Sequence, residues 1–396
     1  MTDIEKVQAV AQADQEKYNK LKLALERMKN KQNKILFCIP DIPTPTASIY
    51  EIYFQATVMK QLGYNVVGLI QNHDQVIPAW IESNLTDFKH VNMEKNDLNI
   101  GPDDVLVIPD IFTNIMEQTK DLPCIRVGLL QSIDYMVNAL IPGMDWSSFG
   151  VQKILTTNNN LRGLVEEYYG QNKFEIKVYK IGIPDYFKPS DKPQRPIISI
   201  VGRNNNDISK IVKLFYAKFP QFSWVTFDVM LTNSKPPLPM RRIDFANRLK
   251  TNFAAVWLDR LASFGTFPLE CMKSGVIPIC LKPDICPEYI VEKDAEGKIR
   301  YVVNSGIWTD DLYSIPIIIG DICTKFLDDS IGIEIYNKMT EIAKRYNVEN
   351  SKIEIINAYA SFLNERQGIF EKAITDFEKL LENNKIETLE ENKTEE

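Results

Sequence analysis

The chain has 396 residues, of which 44% are hydrophobic, 25% charged and 10% aromatic, with a formal net charge of −7. These values suit two or three globular domains and exclude wholesale disorder. The acidic balance argues against a general coat for polyanions. Apolar runs such as residues 315–319 are too short to span a bilayer, and no basic segment followed by an apolar one opens the chain, so neither a membrane span nor a secretory signal is expected. The six cysteines form no Cys-x-x-Cys pair, and only two histidines accompany them, which leaves no zinc pattern. Buried, reduced thiols in a cytoplasmic protein are the expectation.

Residues 1–33 stand apart. Ile4, Val7, Ala11, Tyr18, Leu21, Leu25 and Met28 recur at three- and four-residue steps, with Asp14 in the one polar slot, the stripe of an amphipathic helix. Residues 15–34 hold seven Lys or Arg against two Glu, a local charge of +5. The plain reading is a helix docked on the body by its stripe. The sharper ones are an oligomer-forming coiled coil, or a basic face for a peripheral membrane or nucleic-acid contact.

From Lys34 the period changes. Apolar runs at 34–40, 65–71, 104–109, 124–130 and 153–157 read as buried strands, with helical stretches at 49–62 and 159–169. Such alternation predicts a parallel sheet built from βαβ units. Residues 183–196 hold four prolines, too many for a helix or a central strand, and read as a linker. The alternation then restarts, with strands at 197–201, 223–227, 254–258 and 276–281 and helices at 208–219, 244–252 and 268–274. Further helices are expected at 332–345 and 353–381. Residues 382–396, with six Glu and two Lys, read as an unstructured acidic tail.

The division that follows is an N-terminal helix (1–33), a first α/β domain (34–187), a second (188–346), C-terminal helices (347–381) and the tail (382–396). Ligands of such paired α/β units bind in the crevice at the carboxyl ends of the strands. No Gly-x-Gly-x-x-Gly follows a first strand, which sets a dehydrogenase aside.

Residues 262–279 carry the most chemistry. Gly265 lets backbone approach a ligand closely. The loop amides and the helix start favour an anion such as a diphosphate. Glu270, on the first turns of that helix, suits a vicinal diol such as a ribose. The alternative is that Glu270 caps its own helix and Gly265 only turns the chain.

The run Ser263-Phe-Gly-Thr-Phe-Pro-Leu-Glu-Cys-Met-Lys-Ser-Gly-Val-Ile-Pro278 resembles that of the retaining nucleotide-sugar glycosyltransferases of GT-B fold, in their glycogen-synthase-like and sucrose-synthase-like branch. Ile200-Val-Gly-Arg203 resembles the first strand of their nucleotide domain. Tyr179 to Pro189 resembles their linker, and Cys286-Pro-Glu-Tyr-Ile-Val the stretch that follows. The resemblance covers Lys34 to about Leu363. It implies two Rossmann-like domains facing across a cleft, with the terminal helices as additions.

It also implies roles. Glu270 would hold the donor ribose. Ser263 and Phe264 would help bind the donor, the backbone of Gly265, Thr266 and Phe267 would face its diphosphate, and Arg203, helped by Lys210, would neutralise that group as it leaves, with no metal or other cofactor. The donor would be a UDP- or GDP-linked sugar and the acceptor a glycan or other hydroxyl. Ala262 stands where the family has a sugar-contacting acid. Residues 40–48 replace its Gly-rich loop, leaving the hydroxyls of Thr46 and Ser48, and Gln131 and Ser132 stand near its usual His. These departures motivate a second reading, a catalytically silent scaffold or binding protein. A third keeps the transferase and makes modified DNA the acceptor.

Overall fold

The apolar runs pair into two parallel sheets in the computed structural model. It describes residues 3–394 apart from 43–44, 72–76, 79, 94–97, 139–142, 192–193, 232–239, 261–264, 294–295, 297–298 and 303–304. The first half carries helix α1 (Asp3–Lys29), then β1 (Lys34–Ile39), α2 (Ala47–Gln61), β2 (Asn65–Ile70), β3 (Lys89–Asn92), β4 (Val105–Pro109), α3 (Thr113–Gln118), β5 (Ile125–Leu130), α4 (Ile133–Asn138), β6 (Lys153–Thr156), α5 (Asn159–Tyr169) and β7 (Glu175–Val178). Its seven strands lie in the order β3-β2-β1-β4-β5-β6-β7.

Burial on both faces explains why these strands read as unbroken apolar runs. In β1, Ile35, Phe37 and Ile39 enter one core, shared with α2, while Leu36 and Cys38 enter the other, shared with α3 and α5. Helix α2 is buried along most of its length, from Ile49 to Met59. It lies between the sheet and the last helix of the chain. The edge strands β3 and β7 escape the sequence reading because they are short, charged and only half-buried, as protected sheet edges tend to be.

The second half runs β8 (Arg195–Gly202), α6 (Asn205–Lys218), β9 (Thr226–Leu231), α7 (Arg242–Leu249), β10 (Asn252–Trp257), α8 (Thr266–Lys273), β11 (Ile277–Leu281), the hairpin β12 (Val291–Lys293) and β13 (Ile299–Tyr301), β14 (Ile307–Thr309), α9 (Ile315–Leu327) and α10 (Ile333–Arg345). Five of its strands lie in the order β14-β11-β10-β8-β9. Strand β8 begins inside the proline-rich stretch. Its pairing with β10 slips between Arg195–Asn252 and Ile198–Ala254. That bulge accommodates Pro196, which has no N–H for the ladder.

The chain crosses between the halves twice, and the crossings touch. Ile183 N–H donates to the Tyr346 carbonyl at 2.8 Å. Helix α11 (Val348–Thr394) then returns to the first half, where Ile355, Tyr359, Phe362 and Phe370 join its core. Its backbone continues as helix through 382–394, where the sequence reading has an unstructured tail; a helix already nucleated and packed extends at little cost per residue. Helix α1 lies antiparallel on α11, with Tyr18 donating to Glu378 at 2.7 Å and Lys29 3.3 Å from Glu371.

A side chain on Gly182 would place its Cβ 2.8 Å from the Val348 Cα and 2.9 Å from the Ser351 Cβ. Gly182→Ala is therefore expected to cost about 1–3 kcal/mol, the usual cost of overpacking. Urea unfolding measures this, and an unchanged midpoint would show that the crossings part freely.

Candidate functional site

Strands β8 and β10 are parallel neighbours, so the residues that follow them emerge side by side at one edge of the sheet. Arg203 follows β8 and Asp259 follows β10, and the Arg203 Nε meets Asp259 Oδ2 at 2.8 Å. The guanidinium is about half exposed, at 47%, so it keeps a face toward solvent. Asn204 caps α6 by accepting the Asn206 N–H at 2.9 Å. The helix thus starts three residues earlier than the sequence suggests, which puts Lys210 on its second turn. There Lys210 lies 3.4 Å from Asp207 and half exposed.

Helix α8 starts from the same edge. Gly265 is its N-cap in left-handed backbone, with φ of 58°. A Cβ there would lie 2.2 Å from the Tyr289 hydroxyl and 2.6 Å from Pro287. Tyr289 donates to the Gly265 carbonyl. Both properties demanded of this glycine, the positive φ and the close approach, are therefore satisfied within the protein. Thr266 is buried, and among the described residues its hydroxyl has no hydrogen-bond partner. The Phe267 ring packs into the core 6.0 Å from Phe245. Ser263 and Phe264, with Ala262, lie outside the described residues.

Glu270 comes one turn after Thr266 on the same face of α8. It is 6% exposed, which is far from an open double acceptor. One of its oxygens, Oε1, accepts from Arg242 Nε at 3.0 Å and from Nη2 at 2.6 Å. Arg242 opens α7, and its guanidinium lies 3.8 Å from the centroid of the Tyr50 ring on α2, in the opposite half. Burial pushes the Glu270 carboxyl above its ordinary range and Arg242 pulls against that. Burial also works against the charge on Arg242, but Glu270, Tyr50 and Tyr186 outweigh it and hold the proton on.

Arg242 and Tyr50 escaped the sequence reading. No short motif links an arginine to a glutamate 28 residues later, still less to a tyrosine in the other half. The available signal was indirect: a lone Glu on a fully buried helix face requires a cation.

Across the crevice, the carboxyl edge of the first sheet brings together part of the expected acceptor side. Gln131 Nε2 donates to the Ser48 carbonyl at 3.0 Å. Asp110, at the end of β4, accepts the backbone N–H of Gln131 at 2.7 Å and that of Ser132. Burial pushes its carboxyl up to about 7, against the pull of those amides. Thr46 is occupied otherwise: its hydroxyl caps α2, accepting from the Ile49 N–H at 3.2 Å. Among the described residues no three His, Cys, Asp or Glu side chains gather as metal ligands, and no helix is long and apolar enough to cross a membrane.

Several cations of the basic segment 15–34 find partners within the chain, although Lys17, Lys20, Lys22 and Lys29 stay exposed. Lys22 and Lys29 pair with Glu378 and Glu371, and Lys17 lies over the Phe377 ring. Arg27 and Lys34 meet the buried Asp104, and Lys31 donates to the Leu62 carbonyl. Met28, from the apolar stripe, enters the first-half core together with Ala24, and Leu21 and Leu25 of the stripe pack against it. The helix docks on its own chain, as the plain reading has it.

Two Rossmann-like sheets facing across a crevice, joined by a double crossing, define the GT-B fold, and this chain has it. Among solved structures, the sucrose-phosphate synthase from Thermosynechococcus elongatus superposes with a TM-score of 0.56 at 8% identity, over 84% of this chain and 100% of that one. The pneumococcal O-GlcNAc transferase GtfA, in complex with UDP and GlcNAc, gives 0.56 at 10% over 84% and 99%. An alpha-glucosyltransferase in complex with UDP and a 13-mer DNA containing an HMU base gives 0.51 at 12% over 86% and 99%. At such identities the likeness is one of fold. No protein-family model matches the sequence, and no curated protein matches it.

Two outcomes follow from the buried carboxylates. Burial pushes Glu51, next to Tyr50, up to about 7 from 4.5, against the pull of Arg242 and the Tyr179 hydroxyl. Between those values the unfolded chain sheds the proton first, so the folded state loses stability as pH rises. Glu51→Gln should match the wild-type melting temperature near pH 4 and exceed it at pH 8. A variant that melts lower at pH 8 would mean that the ionised form is needed beside Arg242. Asp110→Ala strands the Gln131 and Ser132 amides and should cost about 1–3 kcal/mol, with faster hydrogen exchange at those two amides.

Proposed function

We propose that this protein is an enzyme that transfers a glycosyl group from a nucleotide sugar to a hydroxyl acceptor. The observation that carries the reading is Glu270. One of its oxygens is fixed by Arg242 and the other is left by that arginine, on a helix that starts at the sheet edge shared with Arg203. A carboxylate so held can accept from a nucleoside diol. The N-terminal amides of α8 and the half-exposed Arg203 supply what a diphosphate needs.

In the reaction, the bond from the sugar C1 to the diphosphate oxygen breaks and a bond from the acceptor oxygen to C1 forms on the same face, so configuration is retained. The acceptor proton passes to the departing phosphate oxygen. Arg203, with Lys210 beyond it, stabilises the charge that grows on the diphosphate, so that fixed cations do the work and no metal is required. Positioning of the acceptor between the two halves supplies the rest. The acceptor lies against the Ser48, Gln131 and Ser132 edge.

Two of the solved structures of this fold are complexes with UDP, which favours a uridine-linked donor. A glycan is the favoured acceptor. A DNA acceptor needs an unneutralised basic surface, and Lys22, Lys29 and Lys34 of the basic segment pair with carboxylates of this chain. The working place is the cytoplasm.

Calorimetry with UDP and GDP tests the reading. The wild type should bind one of them, and Glu270→Gln should weaken that binding tenfold or more. Arg203→Ala should lower turnover by about 10²-fold while changing donor affinity far less. A wild type that binds a nucleotide but hydrolyses and transfers no nucleotide sugar would establish the silent binding protein instead.

A further inference from the structure

The donor site described so far belongs to the second half alone. Arg242 changes that. Its side chain is 9% exposed. Its Nε and Nη2 go to one Glu270 oxygen. Its third nitrogen, Nη1, is buried and has no hydrogen-bond partner among the described residues. The Thr266 hydroxyl, one turn before Glu270, is buried and likewise has no partner among the described residues. Buried polar groups are almost always paired, and a guanidinium nitrogen left without an acceptor is expensive. Two such groups flanking one carboxylate call for a ligand that brings oxygen atoms.

A sugar hydroxyl meets the requirement from both sides, because it donates and accepts at once. A nucleoside hydroxyl that donates to Glu270 still has lone pairs for Nη1. The guanidinium cannot swing to reach it freely. Tyr50 covers one face at 3.8 Å and Phe187, in the crossing, lies 5.5 Å from it. A planar cation held between rings and a carboxylate presents its remaining donors in a fixed direction.

We propose that Arg242 is a donor-binding residue that hydrogen-bonds the nucleoside diol alongside Glu270, and that Tyr50 of the opposite half is the positioning residue that aims it. This rests on the diol-binding reading of Glu270 and extends it: the first half takes part in recognising the donor nucleoside as well as the acceptor. Selectivity for a ribonucleotide over its deoxy forms is the property this arrangement creates.

The test pairs protein variants with ligand variants. UDP and GDP, each with its 2′,3′-dideoxy analogue, are titrated calorimetrically into wild type, Arg242→Met, Arg242→Lys, Tyr50→Leu and Tyr50→Phe. The wild type should prefer the ribose form by tenfold or more. Arg242→Met and Tyr50→Leu should lose most of that preference, by weakening the ribose form and sparing the dideoxy form. Tyr50→Phe, which keeps the ring, should retain it. Arg242→Lys keeps the charge beside Glu270 without the forked donors, so it should behave as Arg242→Met; it carries the comparison if the methionine variant does not fold. Equal weakening of both ligand forms would assign Arg242 a purely structural role and overturn the proposal. A preference that survives Tyr50→Leu would overturn the part given to the opposite half. A wild type that binds no nucleotide, or binds both forms alike, would overturn the diol reading of Glu270 together with this one.

Discussion

The contact on which the site depends is the buried pair of Arg242 and Glu270 under the ring of Tyr50. A carboxylate placed on a buried helix face is costly by itself, and the cost of desolvating an ion pair is recovered only when the geometry is good. Here two guanidinium nitrogens share one oxygen, and an aromatic face covers the cation from the other half of the molecule. The pair joins three elements that are distant in sequence: α2, α7 and α8. The carboxyl of Glu270 is therefore accommodated where it is because the two halves meet as they do.

The crossings support that meeting. Residues around Gly182 and Asn347 touch backbone to backbone, and Lys273, at the end of α8, donates to the Ile183 carbonyl at 2.6 Å and pairs with Asp185 at 2.8 Å. Tyr186, in the same crossing, donates to Glu82 of the first half at 2.6 Å. The connection is thus bonded to both halves. Around the crevice the halves differ in chemistry. The second contributes cations and helix amides, suited to a diphosphate. The first contributes Ser48, Gln131 and Ser132, held by a buried Asp110, suited to neutral hydroxyls.

The termini illustrate how charge in a sequence misleads. A segment of local charge +5 looks like a surface for an anionic partner. In the structure its cations meet Asp104, Glu371 and Glu378, the last two on the helix that ends the chain. Exposed pairs of this kind add little stability each. Their effect is to set α1 antiparallel on α11 and to neutralise part of the basic face with carboxylates of the same chain.

By itself, the sequence determined most of the sheet strands, most of the helices, the alternation of two α/β halves and a short list of candidate anion-facing residues. Those depend on local properties: apolar runs, prolines, a glycine before a helix, a carboxylate one turn into it. The edge strands β3 and β7 and the full course of α11 were not legible, because half-buried strands lack an apolar run and a helix end lacks a stop signal. Nor was the state of the site residues. Thr46 reads as a free hydroxyl and is a helix cap. Glu270 reads as an open acceptor and is a buried, half-committed one. Arg242 and Tyr50 read as nothing in particular. Only the tertiary structure decided these, since the field at a buried carboxylate is set by groups brought within a few ångströms through space, and no spacing along the chain encodes that distance.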